Sequence, residues 1–437
     1  MLSVDHIRDC LEGGVPSLIA TCDAEGMPNL TYVSQVHYVD PEHVALSFQF
    51  FNKTRENILR DPRATVRVAN AETAVEYRLD VEYLRTEPEG PLFERMKAKL
   101  AGVASHTGMA GVFKLLGADV YRVRNIEQLP GPVLALERPH PPLLPPLRRM
   151  GERIAACGGL DELLDRTLAG LEELFGIRHS MLLMLDEGGR RLYTVASRGY
   201  GASGVGSEIA LGHGVIGVSA EQRTPIRLSY ASMDYIYGAA ASGTAAEIPW
   251  PGLREPQSQL AVPIASGGRL QGVLYVESLE EMAFCYEHED ALAALAVTLG
   301  FAMQALAQDG DAEPDGPAAA ADAAPADKAA LQVRYYPEDD SVFLGEDYLI
   351  KGVAGAIFWK LLRDYQRDGR TEFSNRELRL DPSIPLPDIA DNLEARLLLL
   401  HRRLQERSSL LGLEKTGRGR FRLCVRQPLK LVEVAGA

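Results

Sequence analysis

The sequence predicts a multidomain α+β protein, and three observations predict it. Two stretches are too poor in large apolar side chains, or too rich in proline, to join a packed core, and they divide the chain into three lengths of domain size. The first length reads as short strands separated by Gly, Pro and Asp turns, the pattern of an antiparallel barrel. The other two mix such strands with helices whose apolar residues recur at threes and fours. A chain of 437 residues, 46% apolar and 24% charged, has material for several cores of this kind.

The dividing segments are 309–330, DGDAEPDGPAAAADAAPADKAA, and 137–149, ERPHPPLLPPLRR. The former has ten alanines and three prolines, and it buries too little surface to offset the entropy of ordering, so it is expected to be a flexible tether. The latter has five prolines in thirteen residues and is expected to be an extended, stiff spacer. The folded units are then 1–136, 150–308 and 331–437, with no repeat between them.

The formal charge of −14 is unevenly spread. Residues 330–437 hold 18 Lys+Arg against 16 Asp+Glu, which leaves 28 against 44 for the first 329 residues. From Asp391 to the end there are 10 basic and 5 acidic residues. An acidic body with a basic end suggests a polyanion-binding module on a soluble apparatus. Cys10, Cys22, Cys157, Cys285 and Cys424 show no CxxC pair and no metal-ligand spacing, so they read as buried free thiols, and no metal site is expected. MLSVDHIRDCLEGG lacks a basic head followed by an apolar stretch, and no segment approaches ~18 uninterrupted apolar residues, which places the chain in the cytoplasm with no membrane partner.

In the first unit a short helix over Val4–Leu11 precedes SLIATC (17–22), the turn DAEGMPN, TYVSQVHYV, the turn DPE and HVALSFQF. A helical stretch, ATVRV and AVEYRLDVEYL follow. This order, with its DxxGxPN turn and the later FFNKTRENILRDPRATVRV, resembles the flavin-binding split-barrel family of pyridoxamine-phosphate-oxidase-like proteins. The resemblance implies a split β-barrel that pairs as a homodimer and holds FMN at the interface, its phosphate near Asn52, Lys53, Thr54 and Arg55. Cations and a hydroxyl at a helix start suit a phosphate dianion; the plainer reading is a solvated basic helix start. The strand NLTYVSQV lacks the basic residue of the family's oxidases, and the barrel runs into the proline spacer rather than an Arg/His substrate tail. Pyridoxamine-phosphate oxidation is therefore not expected, and no catalytic residue is assigned. Related barrels bind haem or deazaflavin, so haem or another flavin-like group is the alternative cofactor, with His37, His43 and His106 as candidate iron ligands.

The second unit opens with Leu160, Leu164, Leu168, Leu171 and Leu174 at helical spacing and closes with HEDALAALAVTLGFAMQAL. Between them, LGHGVIG, LAVPI and GVLYVES resemble the GAF family of sensory domains. The resemblance implies helices on one side of an antiparallel sheet, dimerisation through the flanking helices, and a small ligand on the other side. Tyr230, Tyr235, Tyr237 and Trp250 fall where the family forms its pocket lid and could stack on a planar molecule, or simply pack. The cyclic-nucleotide signature of the family is absent, so the ligand of this domain is unidentified.

In the third unit QVRYYP, SVFLG and DYLIK read as strands and VAGAIFWKLLRDYQRDG as a helix. SNRE (374–377) is a capping box that starts a second helix, and DIADNLEARLLLLHRRLQERSS is a long third one. Its apolar stripe is Ile389, Leu393, Leu397, Leu400 and Leu404, while Asn392, Arg396, Arg403 and Arg407 share another face. Ending on the hairpin TGRGRFRLCV, this resembles the winged-helix output domain of response-regulator transcription factors. The resemblance implies that the third helix enters the major groove and that Arg418, Arg420 and Arg422 form a wing on double-stranded DNA, a task that guanidinium forks suit. The expectation for the chain is a one-component, ligand- or redox-sensing transcriptional regulator. Its alternatives are a flavin-dependent oxidoreductase with regulatory domains and a non-catalytic adaptor whose winged helix binds protein.

Overall fold

The computed structural model describes residues 2–13, 15–49, 53–106, 114–135, 142–186, 188–230, 248–309, 330–384, 393–417 and 419–434. Asn52, Tyr235, Tyr237, Asn392 and Arg418, and the side chain of His106, lie outside the described residues.

Strands β1 (Ser17–Cys22), β2 (Pro28–Val33), β3 (Val36–Asp40), β4 (His43–Phe48), β5 (Arg63–Ala69), β6 (Glu76–Glu87) and β7 (Gly117–Gln128) form one antiparallel sheet in the order β2-β1-β5-β6-β7-β4-β3. Alternation sets which face is inside: in β5, Ala64, Val66 and Val68 are buried while Arg63 and Arg67 point out. The run TYVSQVHYV is two strands rather than one. It breaks at Ser34–Gln35, so that β2 pairs with β1 and β3 pairs with β4 at the far edge of the sheet. The first helix, Val4–Leu11, is a 3-10 helix whose Val4, Ile7 and Leu11 plug the barrel core. Helices α1 (Lys53–Arg60) and α2 (Pro91–His106) complete the unit.

The spacer is not extended throughout. Helix α3 (Leu144–Ala155) begins inside it, with proline at its first positions, where a missing N–H and a fixed φ cost nothing. Then come α4 (Leu160–Phe175), β8 (His179–Leu185), β9 (Arg191–Arg198), β10 (Glu208–Ala210), α5 (Gly214–Gln222), β11 (Ile226–Leu228), β12 (Ser258–Ser266), β13 (Arg269–Ser278) and α6 (Tyr286–Asp309). The antiparallel sheet runs β10-β9-β8-β13-β12-β11. Apolar stripes of α3, α4 and α6 share one core with one face of this sheet. Cluster residues of α5, together with Ala98 of α2, lie on the other face, so the barrel's helix helps to cover it. Two glycines set these distances. A Cβ on Gly217 would sit 2.3 Å from the Ala210 carbonyl, and one on Gly102 would sit 3.1 Å from that of Tyr230. Tyr286–Leu306 within α6 is long and apolar enough to cross a membrane by length and composition alone. In the fold its Leu292, Leu295 and Leu299 are core residues.

The third unit has a sheet ordered β16-β15-β14-β20 from β14 (Leu331–Tyr336), β15 (Ser341–Leu344), β16 (Asp347–Ile350) and β20 (Leu429–Glu433). Helix α7 (Gly352–Asp368) follows, and its Trp359 stacks on Tyr335 at 4.7 Å. Next are β17 (Glu372–Ser374), α8 (Asn375–Leu380), α9 (Leu393–Arg407) and the hairpin β18 (Leu411–Gly417) and β19 (Arg420–Val425), which pairs with β17. The capping box forms as spelled: the Glu377 amide donates to Ser374 Oγ at 3.3 Å and the Ser374 amide donates to Glu377 Oε2 at 3.0 Å. The apolar core continues without a break from the helical side of the second unit into this one. All five cysteines are free, but only Cys10 is buried and Cys22 is exposed, which corrects the expectation of five buried thiols.

Candidate functional site

A cleft of about 340 Å3 opens in the barrel wall between β2, β4 and the start of α1. Helix α1 is bolted in place by two side-chain bonds: Asn29 Nδ2 donates to Thr54 Oγ1 at 2.8 Å and Asn57 Nδ2 donates to Thr21 Oγ1 at 3.0 Å. Of the four residues expected at a phosphate, Thr54 and Arg55 line the cleft. Arg55 is clasped there, with Nη1 2.5 Å from Asp119, Nη2 2.9 Å from Thr86 Oγ1, and its guanidinium 4.1 Å over the Phe48 ring. Burial opposes that charge, but the Asp119 hydrogen bond and charge outweigh it and raise the Arg55 pKa. Lys53 instead turns outward to Asp23 at 3.5 Å, so the described residues do not gather the expected cluster around one point.

The cleft also holds two groups that sequence reasoning missed. Ser47 Oγ and Gln49 Nε2 are buried and have no hydrogen-bond partner among the described residues, and both residues line the cleft. Orphaned donors of this kind are costly unless something pairs with them. They fit a polar ligand. The signal was present in HVALSFQF, where Ser47 in the strand and Gln49 just past its end interrupt the apolar run that follows His43.

Neither described histidine lines this cleft. His37 is buried, and Arg95 Nη2 lies 2.8 Å from its Nε2. Burial first, and then the Arg95 charge, push its pKa well below the usual value, so it sits neutral among cations. His43 is held by Asp40 at 2.8 Å. Among the described residues no group of three or more His, Cys, Asp or Glu side chains could hold a metal ion.

In the second unit Tyr230 is buried. Its hydroxyl donates to Met282 Sδ at 3.1 Å, and its backbone is where α2 of the barrel makes its close approach. Trp250 lies 6.2 Å from the Tyr275 ring. Beside them Glu277 is buried, accepting from the Tyr275 hydroxyl and the Leu253 amide, each at 2.8 Å. Burial raises its pKa against these bonds.

The basic residues of the third unit divide. Arg396 and Arg403, expected on a groove-facing surface, are interior, at 6% and 2% exposure. The Arg396 guanidinium lies 4.0 Å over the ring of Tyr193 on β9, and Arg403 Nε donates to the Leu349 carbonyl at 3.0 Å. That face of α9 is turned inward because α9 packs on α4 and β9. Arg407 is exposed, Arg420 is half-buried, and Arg422 pairs with Glu372 at 2.6 Å. The residue that sequence reasoning passed over is Arg402. It bonds Asp161, reaches Asp165 at 2.7 Å and donates to the Val195 carbonyl at 2.9 Å. Acids at i and i+4 on the solvent side of α4 were the available cue.

Comparison with known proteins follows the same divisions. Residues 3–126 match the pyridoxamine 5'-phosphate oxidase family and residues 158–304 match the GAF domain family. No curated protein matches the chain. Among solved structures, the GAF domain of a phosphoenolpyruvate-protein phosphotransferase from Coxiella burnetii is 22% identical, over 39% of this chain and 96% of that one, at a TM-score of 0.33. A free methionine-R-sulfoxide reductase from Neisseria meningitidis, in complex with its substrate, is 24% identical over 37% and 88%, at 0.31. An FMN-binding protein from Syntrophomonas wolfei is 17% identical over 31% and 93%, at 0.23. The chain thus carries a pyridoxamine 5'-phosphate oxidase-type domain followed by a GAF domain.

Proposed function

We propose that the chain is a one-component regulator in which the barrel and GAF domain sense a cofactor or ligand and the C-terminal unit is a winged-helix output domain for duplex DNA. The observation that carries this reading is the order of that unit: a small sheet, helices α7, α8 and α9, and a hairpin bearing arginines, with α9 held against the sensory domain. In this arrangement Arg396 and Arg403 are out of reach of a duplex, so binding through α9 requires its release. A homodimer is supported by edge strand β2, which exposes Leu30 and Tyr32 at 66% and 75%.

For the barrel we propose a flavin as the occupant of the cleft, held by Arg55, Thr54, Ser47 and Gln49. Bound there, it would supply a redox-active chromophore. The orphaned donors and the family match support this reading, and they also favour the second one, a flavin-dependent oxidoreductase with regulatory domains. An absorption spectrum with mass spectrometry of any released molecule tests the cofactor, and steady oxidation of a reduced nicotinamide would select the second reading. Binding of random duplex at ~50 mM salt, where non-specific electrostatic association is strong, tests the output domain. If neither the full chain nor 331–437 binds, the C-terminal unit is a protein-binding module.

A further inference from the structure

A second pocket, of about 230 Å3, opens on the seam between the GAF helices and the C-terminal unit. Leu160 of α4 and Leu306 of α6 form one wall; Leu398 of α9, with Leu413 and Phe421 of the hairpin, forms the other. This is an apolar interior with a few polar groups at its margin, the usual composition of a small-molecule site.

The margin is electrostatically biased. Asp161 is taken by Arg402, and Glu394 accepts from Asn375 Nδ2 at 3.3 Å. The Lys415 ammonium, by contrast, has no hydrogen bond or ion pair among the described residues. It hangs over the start of α4, with Nζ 3.4 Å from the point that a Cβ on Gly159 would occupy. Glycine at this N-cap leaves room under the ammonium and gives the helix no side-chain cap. Lys415 is exposed at the mouth and Arg420 also lines the pocket; cations at the mouth of an apolar pocket match an amphiphile with an apolar body and an anionic head.

We propose that this seam pocket binds a small organic acid, its apolar body between Leu160 and Phe421 and its carboxylate on Lys415. Its two walls belong to different units. An occupant that touches both therefore favours the docked arrangement over an undocked one by its own binding free energy. Neither the flavin reading nor the duplex reading is needed for this site.

The full chain is titrated, by calorimetry and ligand-observed NMR, with 2-naphthoate, the neutral 2-naphthalenemethanol and the cationic 2-naphthylmethylamine. The acid is expected to bind once per chain, at least about tenfold tighter than the alcohol, with the amine weakest. Lys415→Met should bring the acid down to the affinity of the alcohol and leave the alcohol unchanged. Leu398→Trp, which fills the pocket, should abolish both, with a cooperative melt showing that the variant is folded; Leu306→Trp replaces it if it is not. The proposal is overturned if no probe binds, if acid and alcohol bind equally, or if acid binding survives either Lys415→Met or filling of the pocket.

Discussion

Arg227→Met removes the most buried of the charges that join the barrel to the GAF domain, where Arg8 also pairs with Asp290 at 2.5 Å. The Arg227 guanidinium is 7% exposed; Nη1 and Nη2 donate to Glu12 at 2.5 and 3.0 Å, Nε donates to Glu289 at 2.9 Å, and Nη1 also reaches the Phe284 carbonyl at 3.1 Å. Burial on its own raises the Glu12 pKa, but the charge and hydrogen bonds of Arg227, with the charges of Lys99 and Arg8, together outweigh it and hold the carboxyl at about 2. Methionine fills the space of the stem and strands two mostly buried carboxylates. Breaking a buried pair from one side costs about 3–5 kcal/mol. At roughly 2–4 °C per kcal/mol for units of this size, the first calorimetric transition should fall by roughly 6–20 °C at pH 7. In the native chain the depressed Glu12 contributes stability that is full above the ordinary carboxylate range and lost as pH falls through about 2. In the variant the largest depressing charge is gone while Lys99 and Arg8 still face Glu12, so burial lifts its pKa from about 2 toward the ordinary carboxylate range. Its stranded charge therefore costs most at pH 7 and less near about pH 4.5, where the folded state takes up a proton. A drop below about 3 °C at pH 7, or the same drop at both pH values, would refute this account of the seam.

Three further outcomes are expected. The His37 imidazole, depressed by burial and then by Arg95, should stay neutral by NMR as pH falls from 8 to about 5; its contribution is present above about pH 6.5 and is lost below it, as the unfolded chain takes up the proton. Arg55→Ala should weaken FMN binding, followed by flavin fluorescence, by about 1.5–3 kcal/mol, roughly 10- to 150-fold, whereas Lys53→Ala should matter far less because Lys53 faces Asp23. Ser374→Ala should cost the C-terminal unit about 1 kcal/mol in chemical denaturation, and an unchanged midpoint would mean that the capping box does not hold α8.

Legibility followed the range of the interactions. The capping box at Ser374 and the leucine stripe of α4 were plain in the sequence because each is fixed by residues three or four apart. Strand β20 was missed. LKLVE is short and gains its identity only by pairing in parallel with β14, nearly a hundred residues earlier. TYVSQVHYV read as one strand because nothing local marks Ser34–Gln35 as a crossover between opposite sheet edges. Around the barrel cleft, Thr54 and Arg55 were legible from their motif, but Asp119, which claims Arg55, lies 64 residues away. Period placed Arg396 and Arg403 together on one face of α9, but Arg407, assigned to the same face, is exposed; which face is inside depends on the GAF surface that meets it, and no spacing within the helix encodes that.

Release of α9 from the GAF domain can be read directly as duplex affinity. Fluorescence anisotropy of a labelled duplex at ~50 mM salt would compare the native chain with Asp161→Asn, Asp165→Asn, which removes the carboxylates holding Arg402. A control with Glu94→Gln and Glu127→Gln makes the same change of charge within the barrel. Loss of two partly exposed pairs, about 1 kcal/mol each at most, should raise affinity roughly tenfold over the native chain and over the control, with a steep fall as salt rises. Equal affinity in all three proteins, or none in any, would contradict a DNA-binding output domain held by its own sensor.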